Sequence, residues 1–356
     1  MSIKSKTNPG NFFEDFSIGQ QFQHPTPRTI TSGDVATYIG LTGSRFVLHS
    51  SNEAAKQCGF NHQLVDNILA FHIAFGKTVA DISLNAVANL GYSDVRFLAP
   101  VFVNDTLRVK STIIGLKQNS HGRSGIVYAH SVATNQNGVE VLSWNRWVMV
   151  SKSNLDAPAP ETVIPEMPDF VSAENLPIPA ELHFKNFSTV DSGSKFLWAD
   201  YEIGERIDHG NGMTIDNTEH TMATKLYQNN ARVHFDEVYM NNSNFRRRLM
   251  YGGHVISICR ALSFNGLENG VLIAAINAGI HSAPTFAGDT VYAFSEIVDK
   301  WEITGREDVG ALRVKTWGVK NISADKIDNP YSEVEGEVML KSEIVLELDY
   351  TLLMPK

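Results

Sequence analysis

The feature that most restricts this chain is that it is written twice. Shifted by 185 positions, the sequence falls back on itself. "FEDFSIGQQFQH" (residues 13–24) lies over "WADYEIGERIDH" (198–209), so Ile18 and Gly19 meet Ile203 and Gly204, and His24 meets His209. Thr29 and Ile30 meet Thr214 and Ile215, and His49 meets His234. "APVFVNDT" (99–106) lies over "APTFAGDT" (283–290) at a shift of 184. Blocks that keep one offset over such a span mark a duplication, and a duplicated chain folds as two copies of one architecture.

Between the copies, residues 153–181 carry six of the chain's 13 prolines. Proline lacks the amide hydrogen that regular structure needs, so this stretch predicts an extended linker. The boundaries follow: a first domain over 10–152, a linker over 153–181 and a second domain over 182–356. With 356 residues, 43% of them hydrophobic, each copy is long enough for its own core.

The order of elements repeats as well. Each copy opens with a short strand and a glycine turn. A helix follows, with good N-cap residues at Thr31 and Ser32 in the first copy and at Asp216 and Asn217 in the second. The histidine segment comes next, then a long apolar helix. Ile68, Phe71, Phe75, Val79 and Ile82 recur at helical spacing, as do Val255, Ile258 and Leu262. Strands then alternate: "TLRVKSTIIG" (106–115), "GIVYAHSVATN" and "VEVLSWNRWVMV" in the first copy, "SEIVLELDYTLLM" at the end of the second. One long helix followed by a run of antiparallel strands predicts an α+β class, with a sheet wrapped around a helix.

Composition removes several functions. The net charge is -9 and the chain's densest basic spot is "RRR", Arg246 to Arg248. Nucleic-acid binding, which needs clustered cations, is not expected. The two cysteines, Cys58 and Cys259, form no CxxC and suit a reducing cytoplasm without a disulfide framework. The N-terminal stretch "MSIKSKTNPGNFFEDF" has no apolar h-region, and no run is long enough to span a membrane, so a cytoplasmic protein is expected. No HExxH or carboxylate cluster signals a metal, and no GxGxxG in a βαβ setting signals a nicotinamide.

A polar residue five positions before a histidine, then a buried helix, then "RFLAPVFVNDTL" resembles the MaoC-type (R)-specific enoyl-CoA hydratases, which have the hotdog fold. Two fused copies then imply a tandem, or double, hotdog. "GSRFVLHSS", "FHIAFGKTVADISLNAVANLGY", "LYQNNARVHF", "YGGHVISICRALSFNGL" and "INAGIHSAPTFAGDTVYA" are similar to the mesaconyl-CoA hydratase (β-methylmalyl-CoA dehydratase) branch of that family. The resemblance covers nearly all of the chain outside the linker. It implies a hydro-lyase that hydrates an enoyl-CoA thioester reversibly, here mesaconyl-CoA to β-methylmalyl-CoA. No metal or redox cofactor is implied, since the substrate carries the coenzyme A. A homodimer is a further expectation.

The resemblance also assigns residues. The family places a carboxylate and a histidine on water, and backbone amides at the buried helix's N-terminus on the thioester oxygen. His234 matches the histidine in the second copy and His49 in the first. At the acid position stand Asn229 and Ser44, so both copies depart from the family's aspartate. Asparagine orients water but takes no proton near neutral pH, which leaves proton transfer to His234. Glu219 or Asp236 supplies a carboxylate only if the fold brings one close. The second helix opens "YGGHVIS", where Gly252 and Gly253 let a ligand approach the amides; the first opens "VDNILAF", with Asp66 and Asn67 in their place. The expected site is therefore His234, Asn229 and Gly253, the first copy shaping the acyl and CoA tunnel.

Mesaconyl-CoA carries a second carboxylate, which calls for an arginine fork, and Arg232 and Arg45 are the candidates. Arg246, Arg247 and Arg248 are candidates for the CoA phosphates. Each of these arginines also reads as a solvated surface residue. His49 also reads as a buried structural histidine, as do His72 and His254; His220 is ambiguous. Trp144 and Trp147 read as packing. Two other functions stay open: an acyl-CoA thioesterase on the same fold, and an acyl-CoA binding protein without turnover.

Overall fold

The structure, a computed structural model, describes residues 6–356. Residues 1–5, part of the N-terminal stretch read above, lie outside it. The first copy supplies strands β1 (Gln21–Thr29), β2 (Ala86–Arg96), β3 (Thr106–Gln118), β4 (Ser124–Thr134) and β5 (Glu140–Ser151). The second supplies β6 (Arg206–Asp208), β7 (Met213–Thr214), β8 (Leu272–Ile280), β9 (Thr290–Glu302), β10 (Val309–Lys320) and β13 (Ile344–Pro355). A separate hairpin, β11 (Tyr331–Val334) and β12 (Glu337–Leu340), is inserted before the last strand.

The paired strands run β1-β3-β4-β5-β2-β8-β13-β10-β9-β6, with β7 also on β9, and every pairing is antiparallel. Read from the two ends inward, the order is the same in both copies. They meet at β2 and β8, where Ser93 pairs with Ala278, its own counterpart at the 185-residue shift. A pseudo-twofold axis therefore passes through the middle of the sheet. The predicted alternation holds in β3, where Leu107, Val109, Ser111 and Ile113 face inward.

Each copy wraps its strands around a central helix: Asn67–Thr78 in the first, Gly252–Leu262 in the second. The first ends earlier than the spacing predicts. Val79 and Ile82 lie in a π-helical continuation, Val79–Ser83. Both helices are buried almost all round, so each packs on the other copy as well as on its own sheet. The largest core therefore spans both copies, beside smaller clusters confined to one. A single apolar cluster holds Phe71 and Trp144 of the first copy with Ile258 and Leu348 of the second.

The proline-rich stretch is not free. Val171, Leu176, Leu182 and Phe184 pack with Val47, Leu48 and Cys58, and His183 donates its amide to the Cys58 carbonyl at 3.0 Å. Gly59 permits the contact. Its φ is +98°, and a Cβ there would stand 1.9 Å from the Glu181 carbonyl oxygen. Pro177 and Pro179 lie over the start of the first central helix, against Leu64 and Asn67. The chain between the copies thus closes the first histidine segment from outside. Among the described residues, no helix is long and apolar enough to cross a membrane.

Candidate active site

The two histidine segments keep one geometry. His234 closes a 3-10 turn, Arg232–His234, and its Nδ1–H donates to the Leu249 carbonyl at 2.9 Å. His49 makes the equivalent bond to Leu64, fifteen residues on as in the second copy, but at 3.4 Å. A proton held on Nδ1 leaves the Nε2 lone pair of His234 available as a base. Burial pushes its pKa down to about 4, against the opposing pull of the Leu249 carbonyl, so the ring is neutral at pH 7.

The helix N-termini separate the copies. In the first, Asp66 caps its own helix: Oδ1 accepts from the Ile68 amide at 2.9 Å and Oδ2 from the Ser44 hydroxyl at 3.4 Å. Its counterpart at the shift of 185 is Tyr251, which makes no side-chain cap. The first-turn amides of the second helix, Gly252 and Gly253, therefore receive no side-chain cap. They and the helix dipole offer positive potential to an incoming oxygen.

The glycines also make room for neighbouring rings. A Cβ on Gly252 would lie 2.7 Å from the His281 ring, and one on Gly253 would lie 2.4 Å from the Tyr251 ring and 2.7 Å from His72. Their missing side chains make room for rings. Those rings form a wall beside His234: Tyr251 at 5.5 Å and His220 at 6.5 Å between centroids, then Tyr227 and His72 against Tyr251. His281 joins through Tyr92, whose hydroxyl lies 3.2 Å from His281 Nε2.

The wall is unusually polar for its burial. His220 has no partner at either ring nitrogen, and the Tyr227 hydroxyl, His72 Nδ1 and His254 Nδ1 also lack one. Burial, with help from neighbouring His234, Arg248 and His254, depresses His220 to about 3. His72 falls to about 3 and His281 to about 4, in each case chiefly through burial. Glu219 Oε1 lies 2.6 Å from His254 Nε2, directly after the two glycines. Asp236 instead caps the short helix Glu237–Met240 through the Tyr239 amide.

Asn229 is buried, and its side-chain oxygen accepts from the Ala231 amide at 3.0 Å. That local turn leaves its amide nitrogen as the group able to meet water. Arg232 is exposed and stands over Tyr239, at 5.9 Å; Arg45 is exposed and stands over Phe264, at 4.4 Å. Arg246 and Arg247 are exposed, the latter 3.8 Å over Phe286 in an open cleft of about 600 Å³. Arg248 is held within the fold by Glu237, Thr221 and Asn217. Among the wall residues, Tyr251, His281 and Tyr92 were not singled out from sequence. Tyr251 opens "YGGH", His281 closes "NAGIH" and Tyr92 closes "NLGY", strings that carried the resemblance, but proximity across strands leaves no trace in spacing.

Comparison with known proteins agrees with this architecture. A family model described as a MaoC like domain matches residues 14–136. The chain is 53% identical to β-methylmalyl-CoA dehydratase of Chloroflexus aurantiacus over 354 residues, 99% of each chain. It is 48% identical to mesaconyl-CoA hydratase of Cereibacter sphaeroides over 351 residues, 99% of this chain and 100% of that one. The solved structure of a MaoC domain protein dehydratase from Chloroflexus aurantiacus, 53% identical, superposes with a TM-score of 0.95 over 99% of both chains. A Mycobacterium tuberculosis protein with a double hotdog fold, 22% identical, superposes at 0.76 over 98% of this chain and 99% of that one. The sheet wrapped twice around a pair of buried helices is the double hotdog, and the chain belongs to the MaoC-like dehydratase family.

Proposed function

We propose that this protein adds water reversibly to mesaconyl-CoA, forming β-methylmalyl-CoA. One observation carries the reading: a neutral His234 stands beside the one central helix whose first amides no side chain caps. Water held by Asn229 gives a proton to His234 Nε2 as its oxygen bonds to the β carbon. The double-bond electrons move onto the thioester oxygen, which the Gly252 and Gly253 amides stabilise, and the α carbon then takes the proton back from His234 Nε2, which restores the neutral ring. Glu219, paired with His254, is the carboxylate this reading sets in place of the family's aspartate. The step is redox-neutral, and the coenzyme arrives with the substrate, so no resident cofactor is required.

Arg247, in the open cleft, and the exposed Arg246 next to it in sequence receive the CoA phosphates. The reading places the enzyme in the cytoplasm. It takes the exposed Val238, Tyr239 and Phe245 as a contact between two copies, which sedimentation velocity checks. The decisive experiment follows mesaconyl-CoA spectroscopically in the presence of a thiol reagent. Loss of enoyl absorbance without free thiol supports hydration. Thiol release indicates a thioesterase, and binding without either change indicates a non-catalytic protein.

A further inference from the structure

Arg146 lies on β5, where alternation puts Trp144, Arg146 and Val148 on the buried face. It is fully buried. Nη1 donates to Thr78 Oγ1 at 2.8 Å, and the guanidinium rests 4.3 Å over the Phe75 ring. Nε and Nη2 have no partner, and among the described residues no carboxylate lies within ion-pair distance. An unpaired charge in a protein interior is costly, and the remedy is an anion.

The other copy meets the same need with hydrogen bonds to neutral groups and a carboxylate nearby but beyond ion-pair distance. Arg146 pairs with Ala129 and Tyr350 pairs with Val314, the counterpart of Ala129, so Arg146 and Tyr350 are equivalent. On the helices, Phe75 is equivalent to Arg260. Each copy therefore buries one guanidinium between helix and sheet, with the positions exchanged. Arg260 is satisfied: it donates to Ser263 Oγ and the Gly270 carbonyl and feels the charge of Asp66. The counterpart of Asp66 is Tyr251, and Tyr251 is the ionisable neighbour of Arg146. Where the sealed copy holds a carboxylate, the open copy holds a phenol.

Position completes the argument. Tyr251 stands at the N-terminal end of the glycine helix without capping it and packs on His234. Tyr92, the cross-strand neighbour of Arg146, bonds to the His281 that packs on Gly252. The guanidinium is thus one side chain removed from both halves of the proposed site.

We propose that Arg146 receives the free carboxylate of a dicarboxylic enoyl thioester through Nε and Nη2, and so selects such substrates over monocarboxylic ones. The forked pair completes its unmet donors. This rests on the hydratase reading above, with the substrate-specificity element being new.

The test compares wild type, Arg146→Met and Arg146→Lys on mesaconyl-CoA and on 2-methylcrotonyl-CoA, which has a methyl in place of the carboxylate. For Arg146→Met, kcat/KM on mesaconyl-CoA falls on the order of 10²-fold or more, while the value on 2-methylcrotonyl-CoA holds or rises. Arg146→Lys falls less, on mesaconyl-CoA alone. Equal losses on both thioesters, or no loss on either, overturn the proposal; if the methionine variant does not fold, the lysine variant decides. Calorimetric binding of the unreactive methylsuccinyl-CoA and 2-methylbutyryl-CoA separates this from the hydratase reading. A wild-type preference for methylsuccinyl-CoA that the variants lose sustains the role of Arg146 even where no water is added. Equal affinities in wild type refute it.

Discussion

His72 Nε2 lies 3.1 Å from Ser257 Oγ, and each residue is the other's counterpart at the 185-residue shift. The pseudo-twofold axis therefore passes between the central helices as it does between β2 and β8. Across it the backbones match while the side chains do not. A histidine faces a serine, Asp66 answers Tyr251, and Phe75 answers Arg260. Duplication gave two equal frames, and substitution made their surroundings unequal.

Replacing each family histidine in turn checks this division. His234→Gln removes the neutral base and lowers kcat by roughly 10²–10⁴-fold. His49→Gln, in a segment closed by the linker and capped by Asp66, leaves kcat within a few-fold. Steady-state kinetics on mesaconyl-CoA, with Tm recorded for both proteins, measures the contrast. Equal losses would place the chemistry in both copies.

Gly253→Ala tests the close approach of rings to the helix. The new Cβ would stand 2.4 Å from the Tyr251 ring, so either ring or helix must move. A shift of the amides away from the reacting oxygen lowers kcat more than it raises KM. Gly40→Ala, on an exposed helix with nothing within 4 Å of the Cβ position, is the control and leaves both constants unchanged.

The arginine run divides by function. Arg247→Ala raises KM for the CoA thioester several-fold at unchanged kcat, because it removes a phosphate contact from an exposed rim. Arg248→Ala loses bonds to Glu237, Thr221 and Asn217 and destabilises the fold by about 1–3 kcal/mol. Urea denaturation beside initial-rate kinetics distinguishes the two.

Acid should unfold the protein through its buried histidines. His72 and His220 are depressed to about 3, and His209, His234 and His281 to about 4, chiefly by burial. The unfolded chain takes up these protons near pH 6.5, the folded one only near 3–4. Above about pH 6.5 the difference carries no penalty. As pH falls from there towards 4, stability drops, with more than one proton taken up per unfolding event. Urea midpoints measured from pH 8 to pH 4.5 read the slope, and a flat profile would contradict the depressed values.

Much of the architecture was legible in the chain. The repeat offset, the alternation of Leu107, Val109 and Ile113, and the apolar spacing of Ile68, Phe71 and Phe75 depend on local periodicity, which sequence records directly. The matched histidines were legible for the same reason. Arg146 left a signal too, as a charged residue at an inward position of an alternating strand. Its meaning was hidden, because the absence of a partner is a property of the surroundings. Arg232 and Arg45 drew attention by standing near the histidines in sequence, yet both are exposed.

What the sequence determined by itself is thus the pair of copies, their elements and the family they belong to, since these follow from short-range pattern and repetition. What only the tertiary structure decided is how the surroundings of the two copies differ. The linker closing over His49, Asp66 capping one helix while Tyr251 leaves the other uncapped, and Glu219 reaching His254 all join residues far apart along the chain. Such contacts follow from packing two helices inside one continuous sheet, and no local pattern encodes the distance between them.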